Sequence, residues 1–466
     1  MQTGFDSLRL SQSLRSVLAE VGYLEPTPIQ RHAIPVLLAG KDLIARANTG
    51  SGKTAAFALS ILQRLDVSQR SIQALVMCPT RELSAQVARE CRKLGRNHRG
   101  LQVLIVSGGQ AIRPQSEALA RGVHVVVGTP GRLLDHLKRG NMDLSKVTTV
   151  VLDEADRMLD MGFQADVEHL LMALPDKKQT AMFSATFPPS IEELGRTQQQ
   201  GAVRIMLDEK DESSPVISQQ ALVVSSEDKL RALYSVLAVE PGKPALIFCN
   251  LKASVATLEE AMQRDGLSVG SLHGDLEQFQ RDQVLAKFRN HSIRILVATD
   301  VAGRGIDVKD LGLVINFELP AQPQVYVHRI GRTGRAGGVG RSVALVLPRQ
   351  RKKLGAIEDL TQTAIEVTAG IPAGTPDLPS LRTRLAEPAE MATILLSGGR
   401  KDKLRPGDIL GALTGEAGEL AGSQVGTIEI HDRFAYVAVS RTLAAGAVRR
   451  LNKGRIKGKR FRATLV

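Results

Sequence analysis

From about Leu43 to Leu207, short apolar and β-branched runs alternate with helical segments. The runs are Leu43–Ala47, Ala74–Cys78, Val103–Ser107, His124–Gly128, Thr149–Asp153 and Thr180–Ser184. Continuous apolar strands separated by helices predict a parallel sheet buried on both faces. Asp208–Pro215 (DEKDESSP) breaks the pattern with charge, no period and a proline, which predicts a linker. The alternation restarts with Ala221–Ser225, Ala245–Cys249, Arg294–Thr299, Leu313–Phe317 and Ser342–Leu347. An α/β chain with duplicated sheets and a cleft between them is expected. Gly370–Ser380 (GIPAGTPDLPS) reads as a second linker.

The last part changes character. It predicts strand Thr393–Ser397, helix Gly407–Thr414, strands Gly426–His431 and Ala435–Ser440, helix Thr442–Asn452 and strand Arg460–Val466. That βαββαβ order describes a small α+β domain with both helices on one face of the sheet. The expected division is therefore 1–207, linker 208–218, 219–368, linker 369–390 and 391–466.

A chain of 466 residues exceeds what one core supports, in line with two or three domains. The net charge of +13 is uneven: residues 391–466 hold 14 Lys/Arg against 6 Asp/Glu, so +8 lies in the tail. An acidic partner is implied, and it belongs mainly to the tail. Cys78, Cys91 and Cys249 stand singly, without metal-ligand or disulfide spacing, which favours a reducing cytoplasm. The opening residues MQTGFDSLRLSQS lack a basic-then-apolar signal pattern, and no apolar run approaches the roughly 20 residues that span a bilayer.

Two strings carry chemistry. In ANTGSGKT (Ala47–Thr54), backbone N–H groups of Thr49, Gly50, Ser51 and Gly52 are suited to cradle phosphates. Lys53 then reaches the β- and γ-phosphates, and Thr54 offers a hydroxyl to Mg²⁺. About a hundred residues on, Asp153 ends an apolar run, where a carboxylate would hold the same metal. Glu154 beside it is placed to orient or deprotonate an attacking water. Either string alone recurs by chance; the pair predicts NTP hydrolysis.

With these strings in hand, residues 5–347 resemble the DEAD-box ATP-dependent RNA helicases. The first half has, in the family's order, GYLEPTPIQ (Gly22–Gln30), ANTGSGKT, PTREL (Pro79–Leu83), Gly108-Gly109, TPGR (Thr129–Arg132), DEAD (Asp153–Asp156) and SAT (Ser184–Thr186). The second adds HGDLEQFQR (His273–Arg281), ATDVAGRGID (Ala298–Asp307) and HRIGRTGR (His328–Arg335). The resemblance implies two tandem RecA-like domains that bind ATP and Mg²⁺ and close on RNA. Gln30 would read adenine at a donor and an acceptor edge, Phe5 would pack on the base, and Asp307 would accept from a ribose hydroxyl. Arg332 and Arg335 would act as arginine fingers on the γ-phosphate, an effect worth about 10³–10⁵ in rate in related enzymes. Ser184, Thr186 and Asp156 would couple the carboxylates to the interdomain surface, with His328 across it in the catalytic set. Ala47 replaces the first Gly of the general phosphate-loop pattern, as the family usually has it.

The same resemblance implies phosphate-backbone contacts, which position RNA without reading bases. In the first half they fall on Pro79, Thr80, Arg81, Gly108 and Gly109, with Thr129, Gly131 and Arg132. In the second they fall on Arg281, Thr299 and Arg304.

RPGDILGALTG (Arg405–Gly415) and KGRIKGKRFR (Lys453–Arg462) resemble the C-terminal RNA-binding domain of the DbpA subfamily. That implies recognition of a large-subunit ribosomal RNA hairpin and a role in ribosome assembly. Arg449–Arg462 holds eight basic and no acidic residues, a dense strip for phosphate. Compared with ordinary RNA-recognition domains, Leu395 and Val439 stand where aromatics are common, so base stacking on the sheet should be weakened. Binding is expected through Lys401, Lys403 and Arg405, with Lys453, Arg455, Lys457, Lys459 and Arg460. A monomeric, cytoplasmic enzyme is expected; an ATP-gated RNA clamp and a DNA helicase are the rival readings.

Overall fold

The computed structural model of the chain describes residues 4–46, 50–199, 201–207, 217–303, 311–334, 340–361, 363–415 and 420–466. The chain forms two compact units, one holding the first sheet and the other holding the second sheet and the tail.

The first sheet comprises β1 (Leu43–Arg46), β2 (Ala74–Met77), β3 (Val103–Val106), β4 (Val125–Gly128), β5 (Thr149–Asp153), β6 (Gln179–Ser184) and β7 (Val203–Met206). All its pairings are parallel, in the order β3-β4-β2-β5-β6-β1-β7. Side chains alternate between two cores. Leu43, Ala45, Val76 and Phe183 enter one, while Ile44, Leu75, Met77 and Met182 enter the other. Two-sided burial explains the unbroken apolar runs.

The second sheet repeats the plan with β8 (Ile217–Val223), β9 (Ala245–Cys249), β10 (Val269–Leu272), β11 (Ile295–Thr299), β12 (Leu313–Asn316), β13 (Gly340–Val346) and β14 (Glu366–Ala369). The order is β10-β11-β9-β12-β13-β8-β14, again parallel. These are the two RecA-like sheets expected.

Three strands escaped the hydrophobic pattern. Gly270 and Ser271 interrupt β10, and β7 and β14 are short edge strands with exposed positions. Of the first expected linker, residues 208–216 lie outside the described residues, and Ile217 and Ser218 already belong to β8. The second expected linker is partly helical: Leu378–Leu385 sends Leu381 and Leu385 into the core of the second sheet unit. Their four-residue spacing places both on one helix face.

The tail is an antiparallel sheet of β15 (Met391–Leu396), β16 (Val425–Ile430), β17 (Ala435–Ser440) and β18 (Ala463–Leu465), ordered β16-β17-β15-β18. Helices Pro406–Thr414 and Ala444–Lys453 contribute Ile409, Leu413 and Leu451 to one core with Ile394, Leu396 and Val437. Val439 also enters this core. Its lacking an aromatic ring therefore has no bearing on stacking at the opposite face, which corrects the sequence reading.

That opposite face packs, within the same unit, on helix Gln278–Arg289 and the turn that follows it. Ser292 Oγ and Asn290 Nδ2 meet Thr393 Oγ1 at 2.6 and 3.2 Å. Arg289 Nη2 donates to Glu429 Oε2 at 2.8 Å, and Phe279 meets Phe434 edge-on at 5.4 Å between ring centroids.

Candidate nucleotide site and RNA interface

Parallel strands deliver all their C-terminal ends to one edge of the sheet, where open α/β sheets bind ligands. The first unit uses that edge in two halves. On one side, β3, β4 and β2 are neighbours and lead into Gly108-Gly109, Thr129–Arg132 and Pro79–Arg81. On the other, β5, β6 and β1 lead into Asp153-Glu154, Ser184–Thr186 and the phosphate loop. The strand order, which the sequence does not reveal, thus sorts the expected RNA-contacting loops from the nucleotide loops.

In the phosphate loop, residues 47–49, and with them Thr49, lie outside the described residues. Gly50 and Gly52 have φ of 93° and 91°, in the left-handed region that costs glycine little. A Cβ on Gly52 would stand 2.5 Å from Gln30 Nε2. Gly52 caps helix Lys53–Arg64, so that helix's first N–H groups and dipole face the loop. Lys53 is buried, with Nζ 3.2 Å from Asp153 Oδ1. Asp153 is fully buried, and its oxygens face that ammonium and the backbone N–H of Glu154. Burial pushes its carboxyl above the usual range, while Lys53 pulls it back.

Glu154 has φ 54° and ψ 52°, a left-handed conformation rare outside glycine. Its carboxylate accepts from Arg157 Nη1 at 2.7 Å, with both side chains buried. Asp156 accepts from the backbone N–H and the hydroxyl of Thr186 at 2.9 and 2.8 Å through one oxygen. Its own N–H donates to Ser184 Oγ, which donates to the Thr186 carbonyl. The two expected coupling motifs form one closed network within the first unit.

Gln30 takes on a role that sequence reasoning missed. Its amide accepts from Thr27 N–H and donates to the Gly52 carbonyl, both at 3.0 Å, tying a helix start to the phosphate loop. Among the described residues, one lone pair and one N–H of the amide are left over. Phe5 is buried, edge-on to Tyr23 at 6.1 Å.

On the other half, Arg81 lies against the glycine pair. A Cβ on Gly109 would stand 1.8 Å from Arg81 Nη1, so a side chain there, already strained by a φ of 76°, would push the guanidinium aside. Thr80 caps helix Arg81–Leu94 by accepting from Leu83 N–H. Arg132 Nη1 donates to the Gln110 carbonyl and to Gln115 Oε1, both at 3.1 Å.

Arg304, Asp307 and Arg335 lie outside the described residues. His328 and Arg332 are buried, at the end of and just beyond helix Pro323–Ile330, which follows β12. Arg281, in helix Gln278–Arg289 after β10, donates to the His273 carbonyl; Thr299 ends neighbouring β11. Between His328 and Arg332 sits Arg329, hidden in the sequence among other arginines. Its guanidinium donates to both oxygens of Asp300, to Asn316 Oδ1, to the Glu318 carbonyl and to Asn250 Oδ1, at 2.5–3.0 Å. Those five bonds use every N–H that an arginine side chain has.

In the tail, Lys457 Nζ donates to the Lys403 carbonyl at 3.1 Å and pairs with Asp408 at 2.8 Å. The two basic strings, some fifty residues apart in sequence, thereby meet. Lys401, Lys403, Arg405, Lys453, Arg455, Lys457, Lys459 and Arg460 are all exposed.

A phosphate loop facing a buried Asp-Glu pair, in a chain with two RecA-like sheets, defines a nucleotide-hydrolysing enzyme. Comparison with known proteins narrows the class. The DEAD/DEAH box helicase family matches residues 27–194, the helicase conserved C-terminal domain 228–337 and the DbpA RNA binding domain 393–465. The chain is 44% identical to the ATP-dependent RNA helicase DbpA of Escherichia coli, over 100% of both chains. It is 43% identical to the DEAD-box ATP-dependent RNA helicase CshA of Geobacillus kaustophilus, over 78% of each. Among solved structures, S. cerevisiae Dbp5 bound to RNA and ADP BeF3 matches with a TM-score of 0.72 at 29% identity, over 83% of this chain and 100% of that one. The chain belongs to the DEAD-box ATP-dependent RNA helicases and carries a DbpA-type RNA-binding domain. No helix among the described residues is long and apolar enough to cross a membrane.

Proposed function

We propose that the C-terminal domain targets this helicase to a hairpin of 23S ribosomal RNA, and that the enzyme serves assembly of the 50S subunit as a cytoplasmic monomer. The observation that carries the reading is the meeting of the two basic strings at Lys403 and Lys457, within a DbpA-type domain. The domain's other sheet face packs on helix Gln278–Arg289 and the turn after it, which supports RNA engagement by the basic edge rather than by stacking on the sheet.

In this reading Lys53 and the phosphate loop hold ATP. The buried carboxylate of Asp153 and the hydroxyl of Thr54 suit Mg²⁺, a hard cation usually held by one or two protein oxygens beside phosphate and water. The metal would neutralise phosphate charge. Glu154 orients the attacking water, Gln30 reads adenine, and Arg332 and Arg335 act on the γ-phosphate as arginine fingers. ATP and RNA together close the cleft, closure bends one strand and parts a short duplex, and phosphate release reopens it. The glycine-backed Arg81 and the bonded Arg132 support contact with the RNA backbone.

Binding to a structured large-subunit rRNA fragment, compared with scrambled RNA of equal length at matched salt, tests the targeting. Tighter binding of the fragment is expected; equal affinities would sink it. Strand displacement with ATP, and its loss with a nonhydrolysable analogue, separates turnover from clamping.

A further inference from the structure

Gln115 lies in helix Ile112–Ala120, outside every motif that the sequence singled out, yet it is a buried polar residue. Its Nε2 donates to the Ser107 carbonyl at 3.1 Å, one residue before Gly108. Its Oε1 accepts from Arg132 Nη1 at 3.1 Å and meets His136 Nε2 at 3.0 Å. The partners fix which way the amide points. A carbonyl needs the NH₂ group, and a guanidinium needs the oxygen. By the same logic His136, itself fully buried, carries its proton on Nε2. One amide therefore joins the loop after β3 to the helix after β4, and Arg132 closes the circuit on the Gln110 carbonyl.

We infer that Gln115 is a positioning residue for RNA engagement: it fixes the Arg132 guanidinium and the Gly108-Gly109 backbone at one spacing before RNA arrives. The inference rests on the reading that Arg132 and the glycine pair contact RNA phosphates. Successive phosphates on a strand have a set separation, so two loops that grip them need matched positions. Without the amide, Arg132 keeps its charge but loses a fixed direction, and the glycine loop loses its anchor at Ser107. Ordering both groups is then left to RNA binding, which lowers affinity while leaving the bound complex competent. An apolar side chain of equal length also strands the Ser107 carbonyl and His136 Nε2 in the interior.

The test is ATPase stimulation by RNA in the full chain, titrating RNA at saturating ATP for the wild type, Gln115→Met, Arg132→Ala and the double variant. Gln115→Met is expected to raise the RNA concentration for half-maximal stimulation about tenfold, comparable to losing one charge-assisted hydrogen bond. The rate at saturating RNA should fall much less, and the double variant should be weaker than Arg132→Ala by less than the Gln115→Met effect alone, since only the Ser107 anchor is then left to lose. Should Gln115→Met fail to fold, Gln115→Glu decides. Its carboxylate competes with phosphate for Arg132 and repels the Ser107 carbonyl, so weaker half-saturation is again expected. Independent, additive effects of Gln115→Met and Arg132→Ala, or unchanged half-saturation in the Gln115 variant, overturn the positioning role. Unchanged half-saturation in Arg132→Ala overturns the underlying RNA-contact reading, and the positioning role with it.

Discussion

Arg157 donates to the Glu154 carboxylate at 2.7 Å, three residues along the same chain segment, and neither side chain reaches solvent. The ion pair holds the candidate water-orienting carboxylate in a left-handed backbone conformation that its own side chain does not favour. Glu154→Gln should lower the ATPase rate at saturating RNA by about 10²-fold or more, the usual worth of a positioned general base, while nucleotide binding persists. Arg157→Met removes the buried guanidinium bonded to Glu154 and should cost about 3–5 kcal/mol of stability. Denaturant unfolding measures the second effect, and steady-state phosphate release measures the first.

Gly52→Ala meets two obstacles at once, a φ of 91° and a neighbouring amide nitrogen 2.5 Å from the new carbon. The Gln30–Gly52 link should break and the loop should shift. Calorimetric titration with ATP is expected to show affinity reduced at least tenfold, roughly 1.4 kcal/mol. An unchanged dissociation constant would show that the link has no part in nucleotide binding.

Arg329→Lys preserves charge but offers three N–H groups in place of five. Asp300, Asn250, Asn316 and the Glu318 carbonyl cannot all remain bonded. A loss of about 2–4 kcal/mol is expected from groups left unpaired in the interior. Unfolding of the second unit would report it, and a change of less than about 1 kcal/mol would show that the five bonds of Arg329 carry little stability.

Glu429 governs the acid stability of the docked tail. Burial alone would raise its carboxyl, but the His431 ring nitrogen 3.2 Å away and the charge of Arg289 outweigh that and take it from 4.5 down to about 2. A group lowered on folding contributes stability above its ordinary value and loses it on protonation. The contribution, about 3 kcal/mol, is therefore present above pH ~4.5 and fades as pH falls toward 2. Arg289→Ala should remove most of this pH dependence, as read from acid unfolding of the tail. Equal acid profiles for the two proteins would refute the pairing.

Charge on the tail is testable through salt. Replacing Lys453, Arg455 and Lys459 together by Gln should flatten the plot of log affinity against log salt by about 2 to 3 for a structured RNA. A large loss of affinity with an unchanged slope would place those residues away from phosphate.

Much of this molecule was legible in its sequence, and the reason is physical. A strand buried on both faces must be apolar throughout, so β1, β2, β4, β5, β9 and β11 declared themselves, as did the glycine-lysine loop and the Asp153-Glu154 pair. Edge strands β7 and β14 pack on fewer neighbours and carry weak patterns. Gln115, Arg329 and the pairing of Arg289 with Glu429 left no local trace. Each acts through partners brought in by strand order or domain packing, and residue spacing along the chain encodes neither. Val439 misled for the same reason: alternation decides which face a residue takes, and the register relative to the core was not visible.

The order β3-β4-β2-β5-β6-β1 has a practical corollary. The boundary between β2 and β5 is a seam down the first lobe, with the loops expected to handle fuel on one flank and those proposed to handle cargo on the other. Exchanging the flank from β3 to β4 for that of a relative would change grip without rebuilding the engine, so long as the transplanted piece brings its own internal brace.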